Sequence, residues 1–201
     1  LVEAHGTSAL GDMTMDAPKA TAVTILAGSI TGQVTVVANL AAVTLAAKSS
    51  TNTNTIHAAS LVADKLEKIE GSTIVSATTL SAPALKEVSA AFTLVKITTA
   101  AFPALKTLTA SFTGASVTAF TAPNLVISGS DREGYLSVKA GASVSAKSLQ
   151  TSYTIVASIG TIGTLTLAAQ ANDLELDDAI KLATLNYTSS AIAGSLTVSV
   201  S

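Results

Sequence analysis

The sequence predicts an all-β or mainly β fold: a single-stacked right-handed solenoid whose coils each take about 20 residues. Three observations lead there. One phrase is repeated, as Ser81-Ala82-Pro83-Ala84-Leu85, Ala101-Phe102-Pro103-Ala104-Leu105 and Thr121-Ala122-Pro123-Asn124-Leu125, which sets prolines at the evenly spaced positions 83, 103 and 123. Around that phrase, apolar positions fall over apolar and hydroxyl over hydroxyl. The composition agrees: 48% of residues are apolar, yet only 3% are aromatic and 12% charged. That excludes a disordered chain, which needs low hydrophobicity and high charge, and asks for a narrow interior filled by Ala, Val, Leu and Ile, with Thr and Ser on the outward strand positions.

Taken in order, residues 1–20 show no clean period and hold His5, Gly6, Gly11 and Pro18, so they are expected to form an irregular lead or cap before a solenoid domain over 21–201. Val23 and Ile25, then Ile30, Val34, Val36 and Val37, separated by Gly28 and Gly32, read as two short strands around a glycine turn. Leu40 to Leu45 reads as another. The polar run Ser49 to Thr55 is expected to be an exposed loop or an outward ladder. Ser60 to Glu70 fits a helical turn less well than it fits the repeat, because Leu66-x-x-Ile69 matches Leu85-x-x-Val88 one coil on, at a spacing of 19.

The most regular part, 66–125, sorts into columns. Leu85, Leu105 and Leu125, then Val88 and Leu108, Ala90 and Ala110, Phe92 and Phe112, Ile97 and Val117 are expected inside. Lys86 and Lys106, Ser89 and Thr109, Thr93 and Thr113, and Thr78, Thr98 and Thr118 are expected outside. Each coil then holds one strand near Leu85 to Leu94 and a second near Val95 to Thr99. Proline, which fixes φ and donates no hydrogen bond, belongs at the corner. After Leu125 the next matching leucine is Leu149, more than one regular coil further on, so Asp131-Arg132-Glu133-Gly134 is expected to be a loop inserted at one corner. Coils continue through Ile155, Ile159, Ile162, Leu165, Leu167, Leu182 and Leu185, and the chain closes on the alternating Leu196, Val198 and Val200.

The phrases Ala-Pro-Ala-Leu-Lys-Glu-Val-Ser-Ala at 82–90 and Phe-Pro-Ala-Leu-Lys-Thr-Leu-Thr-Ala at 102–110 resemble the Ala-Pro-x-Leu-x-x-Val-x-Gly unit of leucine-rich-repeat-like solenoids from bacterial and phage surface proteins. More distantly they are similar to the receptor L-domain repeat. The resemblance covers about three coils, Leu66 to Leu125. Ala90 and Ala110 replace the usual Gly, and the Asn ladder of ordinary leucine-rich repeats is missing. It implies leucine-rich-repeat-like coils and a binding or structural role at a cell surface, and it carries no catalytic residue.

Composition narrows the partners. The net charge is −2 and the 11 basic residues form no cluster, so no electrostatic footprint for nucleic acid exists. Mean hydropathy is +0.54, but Ser, Thr and Gly interrupt every apolar run well short of the roughly 18 residues of a membrane-spanning helix. Three Tyr, four Phe and no Trp cannot build the aromatic girdles of a membrane barrel. No cysteine is present, which removes disulfides and thiolate metal sites. Leu1 is not a start residue and no charged leader follows it, which reads as a mature or trimmed product. With the charge-poor Thr/Ser surface, this points to the cell exterior.

No set of residues assembles a catalytic motif. The only histidines, His5 and His57, stand beside no nucleophile motif or acid partner, so an enzyme is not expected and no cofactor is implied. If extended, Asp173, Glu175 and Asp177 point to one face and are a weak Ca²⁺ candidate; the plainer reading is a helix start, with carboxylates placed by the helix dipole. Asn186-Tyr187-Thr188 matches an N-glycosylation acceptor. Outward Thr columns are similar to the geometry of ice-binding and glycan-binding solenoids, but without a persistent Thr-x-Thr register, and good outward strand residues are the simpler account. The final strand, with Leu196, Val198 and Val200, carries no charge to blunt an edge. The expected function is therefore a non-enzymatic extracellular structural or adhesive protein that self-associates end to end through its solenoid ends. A module binding a glycan or surface protein is the alternative.

Overall fold

The computed structural model describes residues 2–5, 8–127, 135–139, 142–149, 154–157, 161–167 and 181–187. Among these residues every regular element is a β-strand and every strand pairing is parallel. Parallel neighbours need a long connection between them, and here the connection is the rest of a coil: each strand meets its own counterpart one turn later. The fold is a β-solenoid.

Each coil has three sides. The first ladder runs through Met13–Asp16, the start of Val34–Ala46, the start of Asn54–Val62, Thr73–Ser76, Phe92–Val95, Phe112–Gly114, Tyr135–Val138 and Thr154–Ala157. The second begins at Val2–His5 and Ala22–Leu26. It passes the latter parts of Val34–Ala46 and Asn54–Val62, then Thr79–Ser81, Thr99–Ala101 and the first parts of Ala119–Ile127 and Ser143–Leu149, and ends in Thr161–Leu167 and Lys181–Tyr187. The third is short, two residues a rung, from Ala9–Leu10 through Ser29–Ile30, Ser49–Ser50, Lys68–Ile69, Glu87–Val88, Thr107–Leu108 and Val126–Ile127 to Ser148–Leu149.

Register fixes the coil length. Met13, Val34, Asn54, Thr73, Phe92, Phe112 and Leu136 are successive partners on the first ladder, so the numbering advances by 21, 20, 19, 19, 20 and then 24 from rung to rung. The long step is the one containing 131–134. The extra length therefore enters between the third ladder and Tyr135, as the sequence led us to expect; Asp131 to Gly134 themselves lie outside the described residues.

The interior follows the expected columns where the repeat is strongest. Leu85, Leu105 and Leu125, Val88 and Leu108, Phe92 and Phe112, and Ile97 and Val117 are all buried. Four phenylalanines interlock there: ring centroids of Phe92, Phe102, Phe112 and Phe120 lie 5.1–6.2 Å apart in tilted or edge-to-face pairs, the arrangement favoured by the ring quadrupole. Where the aliphatic coils meet the first ring, a void of about 20 Å³ remains, lined by Ile56, Leu66, Val75, Phe92 and their neighbours. It is large enough for one water but apolar except for Thr73, whose hydroxyl already donates to the Gly71 carbonyl, so it offers water too few partners.

Several expectations are corrected. The stretch Leu85 to Leu94 is two strands, Glu87–Val88 and Phe92–Val95, with a corner between them, and Lys96 to Thr98 forms the next corner before Thr99–Ala101. A three-sided coil needs that additional bend, and Lys96 makes it with a left-handed φ of 71°. Ala90 and Ala110 sit at a corner, half-buried rather than inside. The short strands expected after Gly32 are one strand, Val34–Ala46, that rounds a corner with a register irregularity between Ala38 and Ala42. Residues 1–20, expected to be irregular, contain Val2–His5, Ala9–Leu10 and Met13–Asp16, each laddered on the following coil. Leu149 pairs with Ile127, not Leu125, because its coil passes from Ala146 to Ser148 where the preceding one needs Ala122 to Val126.

The polar run Ser49 to Thr55 is also not wholly exposed. Ser50 and Asn54 are buried, and the Asn54 amide donates to the Ser50 hydroxyl and, at 2.7 Å, to the Asn52 carbonyl. Asn54 stands in the column Val34, Asn54, Thr73, Phe92, Phe112. The bonds from its Nδ2 offset part of the cost of burying an amide in a mostly apolar column.

Candidate recognition face

The corners decide which side chains each face presents. At the corner between third and first ladders, Gly32 and Gly71 lie so close to the coil before that a Cβ at either would fall on the backbone of Gly11 and Asp12 or of Asn52. At the corner between second and third ladders, Ala82-Pro83-Ala84-Leu85 and Phe102-Pro103-Ala104-Leu105 close turns in which Leu85 and Leu105 N–H donate to the carbonyls of Ala82 and Phe102 at 3.2 Å. Proline at the second turn position presets φ. Ala63-Asp64-Lys65-Leu66 closes the same turn without proline, at 3.1 Å, and Ala17-Pro18-Lys19-Ala20 closes a similar one at 3.0 Å at the corner between first and second ladders.

The charges collect at the third ladder. Backbone hydrogen bonds stack Lys48, Glu67, Lys86 and Lys106 one over the next. Lys86 Nζ lies 2.8 Å from Glu67, and Lys68 Nζ lies 3.1 Å from Glu87. The hydrogen bond and charge of Lys86 hold the Glu67 carboxyl below its ordinary 4.5, and the hydrogen bond and charge of Glu87 hold the Lys68 ammonium above its ordinary 10.5. Both pairs are solvent-exposed, so they fix local geometry more than they stabilise the fold.

The second ladder is the opposite. From Ala22 to Asn186 its strands present two outward columns, read rung by rung as Ala22 and Thr24, Ala42 and Thr44, Ser60 and Val62, Thr79 and Ser81, Thr99 and Ala101, Ala119 and Thr121, Ser143 and Ser145, Thr164 and Thr166, Thr184 and Asn186. All of them are exposed or half-buried, while the residue between each pair points inward: Val23, Val43, Leu61, Ala100, Phe120, Val144 and Leu165 are buried, and Leu80 is half-buried against the core. Twelve of these eighteen outward positions are Ser or Thr, and none is charged or aromatic. Glu3 and His5 stand one rung before, on Val2–His5. The neighbouring column Thr78, Thr98 and Thr118 is exposed as expected, and Thr118 donates N–H and Oγ1 to the Thr98 carbonyl at 2.8 and 3.1 Å.

This register was hidden in the sequence because a ruler of 20 fails to follow it. Ala42 pairs with Ser60, a step of 18, and Ala119 with Ser143, a step of 24. The first ladder carries its own Thr14, Thr35, Thr55, Thr93 and Thr113, but Ile74 interrupts that column and Asp16 and His57 lie beside it.

The other sequence candidates do not build a site. His57 is half-buried on its strand between Val37 and Ser76, and His5 is paired with Leu26 on a different ladder. Among the described residues no three His, Asp or Glu side chains are grouped to hold a metal. Asp173, Glu175 and Asp177, the loop 131–134, and Leu196, Val198 and Val200 lie outside the described residues, so end-to-end association rests on the sequence pattern alone. Asn186 of the glycosylation pattern is exposed. Among the described residues no helix is long and apolar enough to cross a membrane. No family of known proteins, no curated protein and no solved structure matches this chain.

Proposed function

We propose that this chain is a non-enzymatic structural and adhesive protein of the cell exterior, which meets an extended partner surface with its second ladder. The observation that supports this reading is the separation of charge: the ion pairs lie on the third ladder, while the outward columns of the second offer mainly hydroxyl and methyl groups, with one carboxylate, Asp64, bonded to Ser81 at their edge. A small-molecule site needs a concave, largely apolar pocket with a few convergent polar groups, whereas a repeating outward array suits a partner that is itself extended and repeating. Stacked coils supply such an array because each repeat adds one more copy of the same contact.

The test is adsorption of the full chain to a neutral hydroxyl-terminated alkyl film, compared with films bearing carboxylates or amines. Adsorption to the neutral film that persists in molar salt and weakens in Thr121→Lys is the expected result. Adsorption confined to charged films and abolished by salt would assign the contact to the third ladder and defeat the reading, since exposed charges are screened over about 3 Å at 1 M salt.

A further inference from the structure

We infer that the second ladder binds ice, an inference that rests on the adhesive reading above and names its ligand. Successive rungs of a parallel ladder are about 4.8 Å apart, and residues i and i+2 on one strand about 6.6 Å apart. Thr79 and Ser81, like Thr164 and Thr166, therefore occupy adjacent points of a two-dimensional net that extends from Ala22 to Asn186, roughly 38 Å at that rung spacing. The rung spacing is close to the shorter oxygen repeat on a prism face of hexagonal ice, and the spacing along the strand falls short of the longer one by about a tenth.

The chemistry of the face selects that ligand over others. Ice is neutral and offers only hydrogen-bond donors and acceptors at fixed lattice points. The face matches it, because every outward position over these nine rungs is Ala, Val, Ser, Thr or Asn. A charged side chain would hold its own hydration shell and disorder the water lattice; none stands at these eighteen positions, and the Asp64 carboxylate at the corner beyond Val62 is engaged by the Ser81 hydroxyl at 2.8 Å. A sugar ring is met by proteins with aromatic platforms and planar carboxylates or amides; the eighteen positions hold no aromatic group or carboxylate, Asn186 is their one amide, and the single carboxylate at their edge, Asp64, is already bonded to Ser81. Short side chains of similar size give the face an even relief. Thr is restricted in χ1 and its strand is held by ladder hydrogen bonds on both sides, so the hydroxyls are ordered before binding and little conformational entropy remains to be lost. Waters bridged between such hydroxyls cost little to immobilise.

The experiment is slow growth of an ice hemisphere from a solution of the full chain, with the protein measured in the ice and liquid fractions and recrystallisation followed in parallel. The wild-type chain is expected to enter the ice and suppress recrystallisation. Thr121→Lys and Thr44→Lys, both exposed on the second ladder, should lose both effects, whereas Thr109→Lys, exposed beside the third ladder, should keep them; far-UV circular dichroism and a thermal melt verify that each variant is folded. Exclusion of the wild-type chain from ice, or equal loss in Thr109→Lys and Thr121→Lys, overturns the inference. If the chain is excluded from ice but adsorbs to the neutral film through Thr121, this inference falls and the adhesive reading stands; if it does neither, both fall.

Discussion

Phe102 and Phe120 show how single residues lock neighbouring coils. Within one coil Ala100 precedes Phe102, and in the next Phe120 precedes Ala122; the register sets Ala100 on Phe120 and Phe102 on Ala122. Large therefore meets small at both positions, which lets rings interdigitate at the packing density of an interior. Phe102→Ala should cost about 3–5 kcal/mol in chemical denaturation, because the rings of Phe92, Phe112 and Phe120 cannot all collapse into the space. Asn54 is the polar counterpart. Its Nδ2 is bonded three ways, to Ser50, Asn52 and, more distantly, to Thr73 at 3.5 Å, while its Oδ1 is buried without a partner. Asn54→Ala deprives the Ser50 hydroxyl and Asn52 carbonyl of that donor and is expected to destabilise by about 1–3 kcal/mol; no loss on urea titration would mean that water serves these groups equally well. The Phe pattern can be read in the sequence as Ala100-Ala101-Phe102 against Phe120-Thr121-Ala122. The burial of Asn54 cannot, since Ser49 to Thr55 has the composition of a loop.

At the scale of elements, corners and ladders divide the work. Register places Gly71 and Ala90 at the same corner position of successive coils. Gly71→Ala pushes a methyl onto the Asn52 backbone and should cost about 1–3 kcal/mol as overpacking, whereas Ala90→Gly should cost at most about 1 kcal/mol through chain entropy. Equal effects in a thermal melt would show that the corner spacing is not what excludes a side chain at 71. The ion pairs of the third ladder set a pH window. The lowered Glu67 contributes stability that is present above its ordinary 4.5 and is lost as pH falls through its folded value; the raised Lys68 contributes below its ordinary 10.5 and loses that contribution as pH rises through its folded value. Glu67→Gln should thus lower the melting temperature slightly at neutral pH and low salt, with the difference from wild type shrinking in acid and at high salt. A difference that grows in acid would have the wrong sign for this pair.

Over the whole molecule, each coil touches chiefly its neighbours, so stability is a sum of local terms along one axis. Native-state hydrogen exchange should consequently be graded by coil, with the amides of Phe92–Val95, Thr99–Ala101 and Phe112–Gly114 exchanging most slowly because the four rings pack there. Uniform protection across the described strands would instead mean that the solenoid opens all at once. The same one-dimensional order creates the faces: a residue type repeated at one point of the coil becomes a line along the molecule. Separate lines of ions and hydroxyls therefore coexist on one narrow solenoid, and the adhesive and ice-binding readings both draw on that separation.

By itself the sequence determined the coil and its contents. The prolines at 83, 103 and 123 mark corners, Leu85, Leu105 and Leu125 mark the inside, and the low aromatic content demands a narrow core. These features are local, so a fixed ruler finds them. Only the tertiary structure decided the number of sides, the burial of Ser50 and Asn54, the place of Leu149 beside Ile127, and the uncharged outward columns of the second ladder. Each depends on which residue hydrogen-bonds to which across coils, and that pairing absorbs the short step from Ala42 to Ser60 and the long one from Ala119 to Ser143 by tightening or loosening the corners. The strands stay in register while the count between them changes, and a count is all that a sequence displays.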